Sequence, residues 1–179
     1  NGNSVIFDDS ASANTTISLS ATRTPGTIVL NNPSKSYTFS GSAIAGTGAL
    51  IKLGGGALTL SSANTYSGGT TNNGGTITFG NGGALGSGRL TMNGGTLNNN
   101  ASFTVANAIA VTGTTTIYAK NGSGDWTMSG ALTGGAGGAP ATGARFQSLA
   151  MENRSAGGGQ GDSAGRHRAR LRHLGRGPR

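Results

Sequence analysis

One phrase returns unchanged along this chain. Asn73-Gly74-Gly75-Thr76 is followed by Ile77, and one period later Asn93-Gly94-Gly95-Thr96 is followed by Leu97. A fixed period of about 20 residues is the signature of stacked repeats. A second phrase has a longer beat. Gly86-Ser87-Gly88-Arg89-Leu90-Thr91-Met92 recurs as Gly122-Ser123-Gly124-Asp125-Trp126-Thr127-Met128, and a looser copy, Gly46-Thr47-Gly48-Ala49-Leu50, comes before both. Two coils of roughly 20 residues each, or slightly fewer, would give both of these longer intervals. In such a coil position i lies over position i+20, about 4.8 Å away. Asn73 then lies over Asn93, with amide hydrogen bonds shared along the stack, and Ile77 lies over Leu97 in the core.

Between the repeats, apolar residues recur with period two, which puts both members of a pair on one face of a strand. The pairs are Val5/Phe7, Ile17/Leu19, Ile28/Leu30, Tyr37/Phe39, Ile51/Leu53, Leu58/Leu60, Ile77/Phe79, Leu90/Met92, Phe103/Val105, Ile109/Val111 and Trp126/Met128. Turn formers separate them, among them Pro25-Gly26, Gly54-Gly55-Gly56 and Asn121-Gly122. At one place the two patterns conflict. Aligning Leu50 with Leu90 turns Lys52 inward, whereas alternation selects Ile51 and Leu53. The alternation is preferred, because a buried, unpaired ammonium costs several kcal/mol. Asn-Gly is also a strong hairpin signal, which makes an antiparallel sandwich the competing architecture. Hairpins, however, do not require the same pentapeptide to return at a fixed interval. The reading is all-β, a β-solenoid of roughly seven coils and about 34 Å tall.

Composition supports this. Of 179 residues 35 are glycine and only 10% are charged, and cysteine is absent, so no disulfide or thiolate–metal framework exists. The formal charge of +8 is unevenly placed. Residues 1–143 hold five cations against three anions; residues 144–179 hold eight arginines against Glu152 and Asp162. No apolar run is long enough to span a bilayer as a helix. The first residues lack the basic start and apolar stretch of a signal peptide, so an exported protein would need a leader that they do not supply.

The run Leu58-Thr59-Leu60-Ser61-Ser62-Ala63-Asn64-Thr65-Tyr66-Ser67-Gly68-Gly69-Thr70-Thr71, completed by Asn72-Asn73-Gly74-Gly75-Thr76-Ile77, closely resembles the passenger-associated transport repeat, or autotransporter-associated β-strand repeat. Ser62 stands where the family pattern has glycine. The resemblance is specific over residues 54–97 and looser over 1–53 and 98–135. It implies a right-handed parallel β-helix in a secreted or surface-displayed bacterial protein, at the outer membrane of a Gram-negative cell. It also implies neighbouring coils of a longer chain and an outer-membrane translocator barrel as partners, with the repeat assisting export. An adhesin binding carbohydrate or a host surface is the alternative.

The expected organisation is a β-helix over 1–135 and a Gly/Arg-rich tail over 136–179. The tail ends in RHRARLRHLGRGPR, which has no aromatic interleaving for base stacking. Its composition fits a disordered segment or an out-of-frame reading of a GC-rich gene, and no specific nucleic-acid partner is expected. Enzymatic chemistry finds little purchase. Glycoside hydrolysis needs two carboxylates about 5 to 9.5 Å apart. Asp8 and Asp9 are adjacent and point to opposite faces of a strand, and Asp125 lies several coils away. Gly122-Ser123-Gly124-Asp125 places its acid one residue early for a calcium-binding nonapeptide and occurs once. His167 and His173 are spaced for neither a helix face nor a strand-turn metal site. Trp126, in the place of Leu90, is expected in the core rather than as a sugar platform. No catalytic residue, metal ligand or cofactor site is assigned, and the protein is read as not an enzyme.

Overall fold

The computed structural model describes residues 2–12, 15–118 and 126–134, together with the backbone of 145–147. The chain is all-β and winds as a β-solenoid of about six turns, about 21 residues per turn. Each turn contributes one strand to each of two parallel sheets. Sheet A contains β1 (Val5–Asp8), β3 (Thr27–Asn31), β5 (Ala49–Leu53), β7 (Thr70–Asn72), β9 (Leu90–Met92), β12 (Ile109–Val111) and β15 (Leu132–Gly134), stacked in that order. Sheet B stacks β2 (Thr16–Leu19), β4 (Tyr37–Gly41), β6 (Ala57–Leu60), β8 (Thr76–Phe79), β10 (Gly95–Asn99), β13 (Thr115–Tyr118) and β16 (Arg145–Gln147). A third side is mostly irregular. It holds the parallel bridge Arg23–Ile44 and, further on, the pair β11 (Thr104–Val105) and β14 (Thr127–Met128).

The predicted register is observed: Ile77 pairs with Leu97, and both are fully buried. Ile77 also lies on Leu58, and Leu97 beneath Ile117, giving one aliphatic column through sheet B. Outside, the Asn93 Nδ2 donates to Asn73 Oδ1 at 2.7 Å, so the asparagine ladder also forms, and the Thr112 hydroxyl continues it. The period flexes around its mean. Val5 pairs with Ile28 and Leu90 with Ile109, so the first turn is longer than the turns in the middle of the rod. Backbone hydrogen bonds of the third side absorb the difference, such as Ser67 N–H to Gly46 O and Ser87 N–H to Tyr66 O, both at 2.9 Å.

The repeated Asn-Gly-Gly-Thr has a steric reason. It makes the corner between sheets A and B, and its second glycine takes positive φ in both copies, 68° at Gly75 and 73° at Gly95. A Cβ at Gly75 would stand 2.2 Å from Gly56 O, and one at Gly95 would stand 2.2 Å from Gly75 O. Only glycine fits a corner stacked so closely on the corner below it.

One sequence expectation is overturned, and another holds for a different reason. In β5 the inward pair is Leu50 and Lys52, at 1% and 0% exposure, while Ile51 and Leu53 face outward. The alternation was ambiguous there, because Ile51 packs on the outer surface in a column between Val29 and Thr71. Trp126 is buried, but not in the column of Leu90. That column runs Leu90, Ile109, Leu132, whereas β14 pairs with β11 on the third side and so places Trp126 above Phe103. The longer echo is therefore a likeness of local sequence, not of position in the coil. There Trp126 meets Phe79 edge-on at 5.1 Å and donates its indole N–H to Tyr118 O at 2.5 Å.

Each coil touches only its neighbours, so damage should stay local. Ile77→Asp places a carboxylate in the aliphatic column and should cost several kcal/mol. Thr78→Asp, on the outward face, should cost about 0.5 to 1 kcal/mol. Hydrogen exchange on Ile77→Asp should show lost protection over residues 55–100 and retained protection over residues 5–30. Equal tolerance of the two substitutions would contradict the register.

Candidate functional site

Two features in this solenoid go beyond stacked aliphatics: a column of buried polar side chains and an open apolar end. Lys52 is the most demanding of the first. Its side chain has no exposed surface, yet its ammonium donates to Leu53 O at 2.7 Å, Gly54 O at 2.9 Å and Gly74 O at 3.3 Å. All three donor positions of the ammonium are used, on two successive corners. This is why the expectation about Lys52 failed: the penalty applies to an unpaired cation, and this one is caged by carbonyls. Burial still pushes its pKa from 10.5 down to about 8, with the Asp9 charge acting weakly the other way. Asn72 sits above Lys52 in the same column, followed by Met92. Asn72 accepts from Gly74 N–H at 3.4 Å, while its Nδ2 is buried without a partner.

The asparagines of the third side tie coils together. Asn64 accepts from Ile44 N–H at 2.8 Å in the coil below and donates to Ala84 O at 2.7 Å in the coil above. Asn107 donates to Gly86 O at 3.0 Å and Gly88 O at 2.6 Å. Tyr66 is buried beside them. Its hydroxyl pairs with Thr70 Oγ1 at 2.6 Å, and Thr70 donates to Leu85 O at 3.0 Å. Burial pushes the Tyr66 phenol up to about 12. None of these polar groups was found by apolar periodicity, because β7 reads Thr-Thr-Asn and carries no aliphatic residue. The repeat period was the available signal: β7 lies one period before β9, whose inward residues are Leu90 and Met92.

The carboxylates among the described residues, Asp8 and Asp9, are committed to loops. Asp8 accepts from the Ser10 hydroxyl and N–H, and Asp9 from the Ser34 hydroxyl and N–H and the Lys35 N–H. These bonds, led by the serine hydroxyl in each case, hold both carboxyls below the usual range. Asp125, His167 and His173 lie outside the described residues, as does the arginine-rich run. Among the described residues no group of three or more His, Asp or Glu is placed to hold a metal ion.

The N-terminal end is open. Phe7, Ile17, Leu19, Ile28, Phe39 and Ile44 line a cavity of about 290 Å³ there, and Ile6 beside it is 67% exposed. β1 and β2 end the order of their sheets, and among the described residues no strand pairs with their outer edges.

Among the described residues, buried amides tie the coils of the solenoid together and Asp8 and Asp9 are used in turns. Residues 50–79 match the passenger-associated-transport-repeat family. The match covers one and a half turns, from β5 through the Asn64–Tyr66 corner to β8, and includes Lys52. It is shorter than the 54–97 span of the sequence resemblance at its far end and begins four residues earlier. No curated protein and no solved structure gives a significant match to the chain.

The buried lysine gives a pH test. Between about 8 and 10.5 the unfolded chain holds a proton on Lys52 that the folded chain has released, so stability should rise with pH across that window. Above about 10 the raised Tyr66 works in the opposite direction, since the unfolded phenol ionises first. Thermal melts should therefore climb from pH 8 to 10 in the native chain and stay level in Lys52→Met. At pH 7, Lys52→Glu should cost several kcal/mol, far more than Ile51→Glu. A steep loss for Ile51→Glu instead would reverse the assignment of faces.

Asn64→Ala removes one partner each from Ile44 N–H and Ala84 C=O, leaving both buried groups unpaired. Denaturant melts should show a loss of about 3 kcal/mol. Tyr66→Phe, which deletes a single hydroxyl bond, should lose about 1 kcal/mol. A neutral Asn64→Ala would mean that the amide does not carry the link between coils.

Proposed function

We propose that this chain is a structural segment of the passenger of a surface-displayed or secreted bacterial protein, a stalk that spaces other modules from the cell and assists their export across a Gram-negative outer membrane. The observation that carries the reading is the coincidence of the family repeat with one and a half turns of the solenoid. The repeat family and the fold fit a structural passenger role. The interior offers side chains that lock coils together, and the Asp8 and Asp9 carboxylates are taken up by loop hydrogen bonds. In this reading the partner is a translocator barrel, and stacking of coils outside the cell keeps the passenger from slipping back.

Fusing the chain between a reporter module and a translocator barrel in a Gram-negative host tests this. Protease shaving of intact cells should release the reporter, and deletion of residues 50–97, two stacked coils and more, should lower the displayed fraction at equal expression. Display that is indifferent to the deletion would count against a role in export and leave only the spacer.

A further inference from the structure

The two copies of the Asn-Gly-Gly-Thr corner differ in one bond. Asn73 and Asn93 are both exposed, and each is followed by two glycines. In the lower corner the Gly74 N–H donates to Asn72 Oδ1 at 3.4 Å. In the upper corner Met92 takes the place of Asn72, and the Gly94 N–H makes no hydrogen bond among the described residues. The Asn93 side chain is held at both ends. Its Oδ1 accepts from the Thr112 hydroxyl, and its Nδ2 donates to Asn73 Oδ1 at 2.7 Å. A third Asn-Gly-Gly, at Asn81, is half-buried, and its Oδ1 accepts from the Gly83 N–H at 2.9 Å.

We propose that Asn93 is a site of spontaneous covalent modification, deamidation through a cyclic imide, and that the fold protects Asn73 and Asn81 from the same reaction. Asparagine followed by glycine is labile because no Cβ shields the peptide nitrogen that comes next. The Gly94 nitrogen gives up its proton to solvent and bonds to the Asn93 Cγ. The Cγ–Nδ2 bond breaks, and the nitrogen leaves as ammonia with a proton returned by water. Water then opens the imide on one side or the other. One opening gives aspartate; the other gives isoaspartate, with the chain rerouted through Cβ. The Thr112 hydroxyl is aimed at the oxygen on which charge develops during the attack. In the lower corner the attacking N–H is engaged by Asn72 instead. At Asn81 the obstacle is steric. A Cβ on Gly82 would stand 2.6 Å from Thr104 O, whereas one on Gly94 would stand 3.0 Å from its nearest neighbour, Asn73 O. The peptide that must turn toward the side chain is hemmed in at Gly82 and freer at Gly94. Either product disturbs the joint between coils. Aspartate sets an oxygen against Asn73 Oδ1 until the Asn73 amide turns over. Isoaspartate lengthens the chain ahead of Gly95, where even an added Cβ would stand 2.2 Å from Gly75 O. This inference is independent of the export role.

Peptide mapping by mass spectrometry tests this on the full chain aged in mildly alkaline buffer, with the urea-unfolded chain aged beside it. All three sites read Asn-Gly-Gly, so sequence alone gives them equal rates, and in urea they should convert together. In the folded chain conversion at Asn93 should run severalfold ahead of Asn73 and Asn81. Exchanging the two buried neighbours probes the cause. Asn72→Met frees the Gly74 N–H and should raise Asn73 to the rate of Asn93. Met92→Asn offers the Gly94 N–H an acceptor and should slow Asn93, with the far-UV β signal kept in both. The order of conversion in the native chain needs no variant, and it stays decisive if an exchange unfolds the protein. Asn73 keeping pace with Asn93, Asn81 leading, or an Asn93 that converts in urea and stays intact in the folded chain would each overturn the proposal.

Discussion

Everything in this molecule depends on strands lying in parallel register on the strand one turn below. Each backbone amide of a strand finds its partner in the preceding or following coil, so a side chain's neighbours are its own counterparts one turn away. Like therefore stacks on like. Leu58, Ile77, Leu97 and Ile117 make one column, Asn73 and Asn93 another, and the glycine corners a third. Register is strongly enforced, because a one-residue slip would exchange the inner and outer faces of every strand in the turn.

Within that constraint the interior is less oily than its strand pattern suggests. Lys52, Asn72, Asn64, Asn107, Thr70 and Thr115 are all buried, and most of their bonds run to backbone carbonyls or amides of an adjacent turn. Corners are where a solenoid leaves peptide groups without strand partners, so side-chain amides and one ammonium fill the gaps. The arrangement costs desolvation at each position and returns a fixed vertical alignment, since every such bond is satisfied at one register only.

Much of this was legible in the sequence. The pentapeptide repeat led directly to the Ile77–Leu97 and Asn73–Asn93 contacts, because identical short phrases at one period can be satisfied only by stacking. The looser phrase ending at Leu50 held the right register too, since Leu50 and Leu90 share a column, but the local alternation was preferred to it. Alternation then misled at β5, where apolar residues occupy both faces and the cost of burying Lys52 was taken for an unpaired charge. A set of carbonyls gathered from Leu53, Gly54 and Gly74 is a three-dimensional feature of two corners, and no linear pattern announces it. Trp126 is buried in the core as expected, but not for the expected reason. Its local phrase copies that of Leu90, but position in the coil depends on the count of residues since the last corner, and the turns are of unequal length. Inward polar strands such as Thr70–Asn72 carry no apolar signal at all, so only the period could have found them.

The asymmetry between height and contour has a mechanical meaning. One turn of about 21 residues adds about 4.8 Å to the length of the rod. Drawn out, the same turn reaches about 70 Å, roughly fifteen times more. Because its bonds are made only to the turns beside it, a pull on one end peels a single turn before loading the next. Such a rod is short and stiff under light load. Under heavy load it lets out slack in steps, as a shock absorber does, and each released turn can wind back onto the exposed edge of the one that remains.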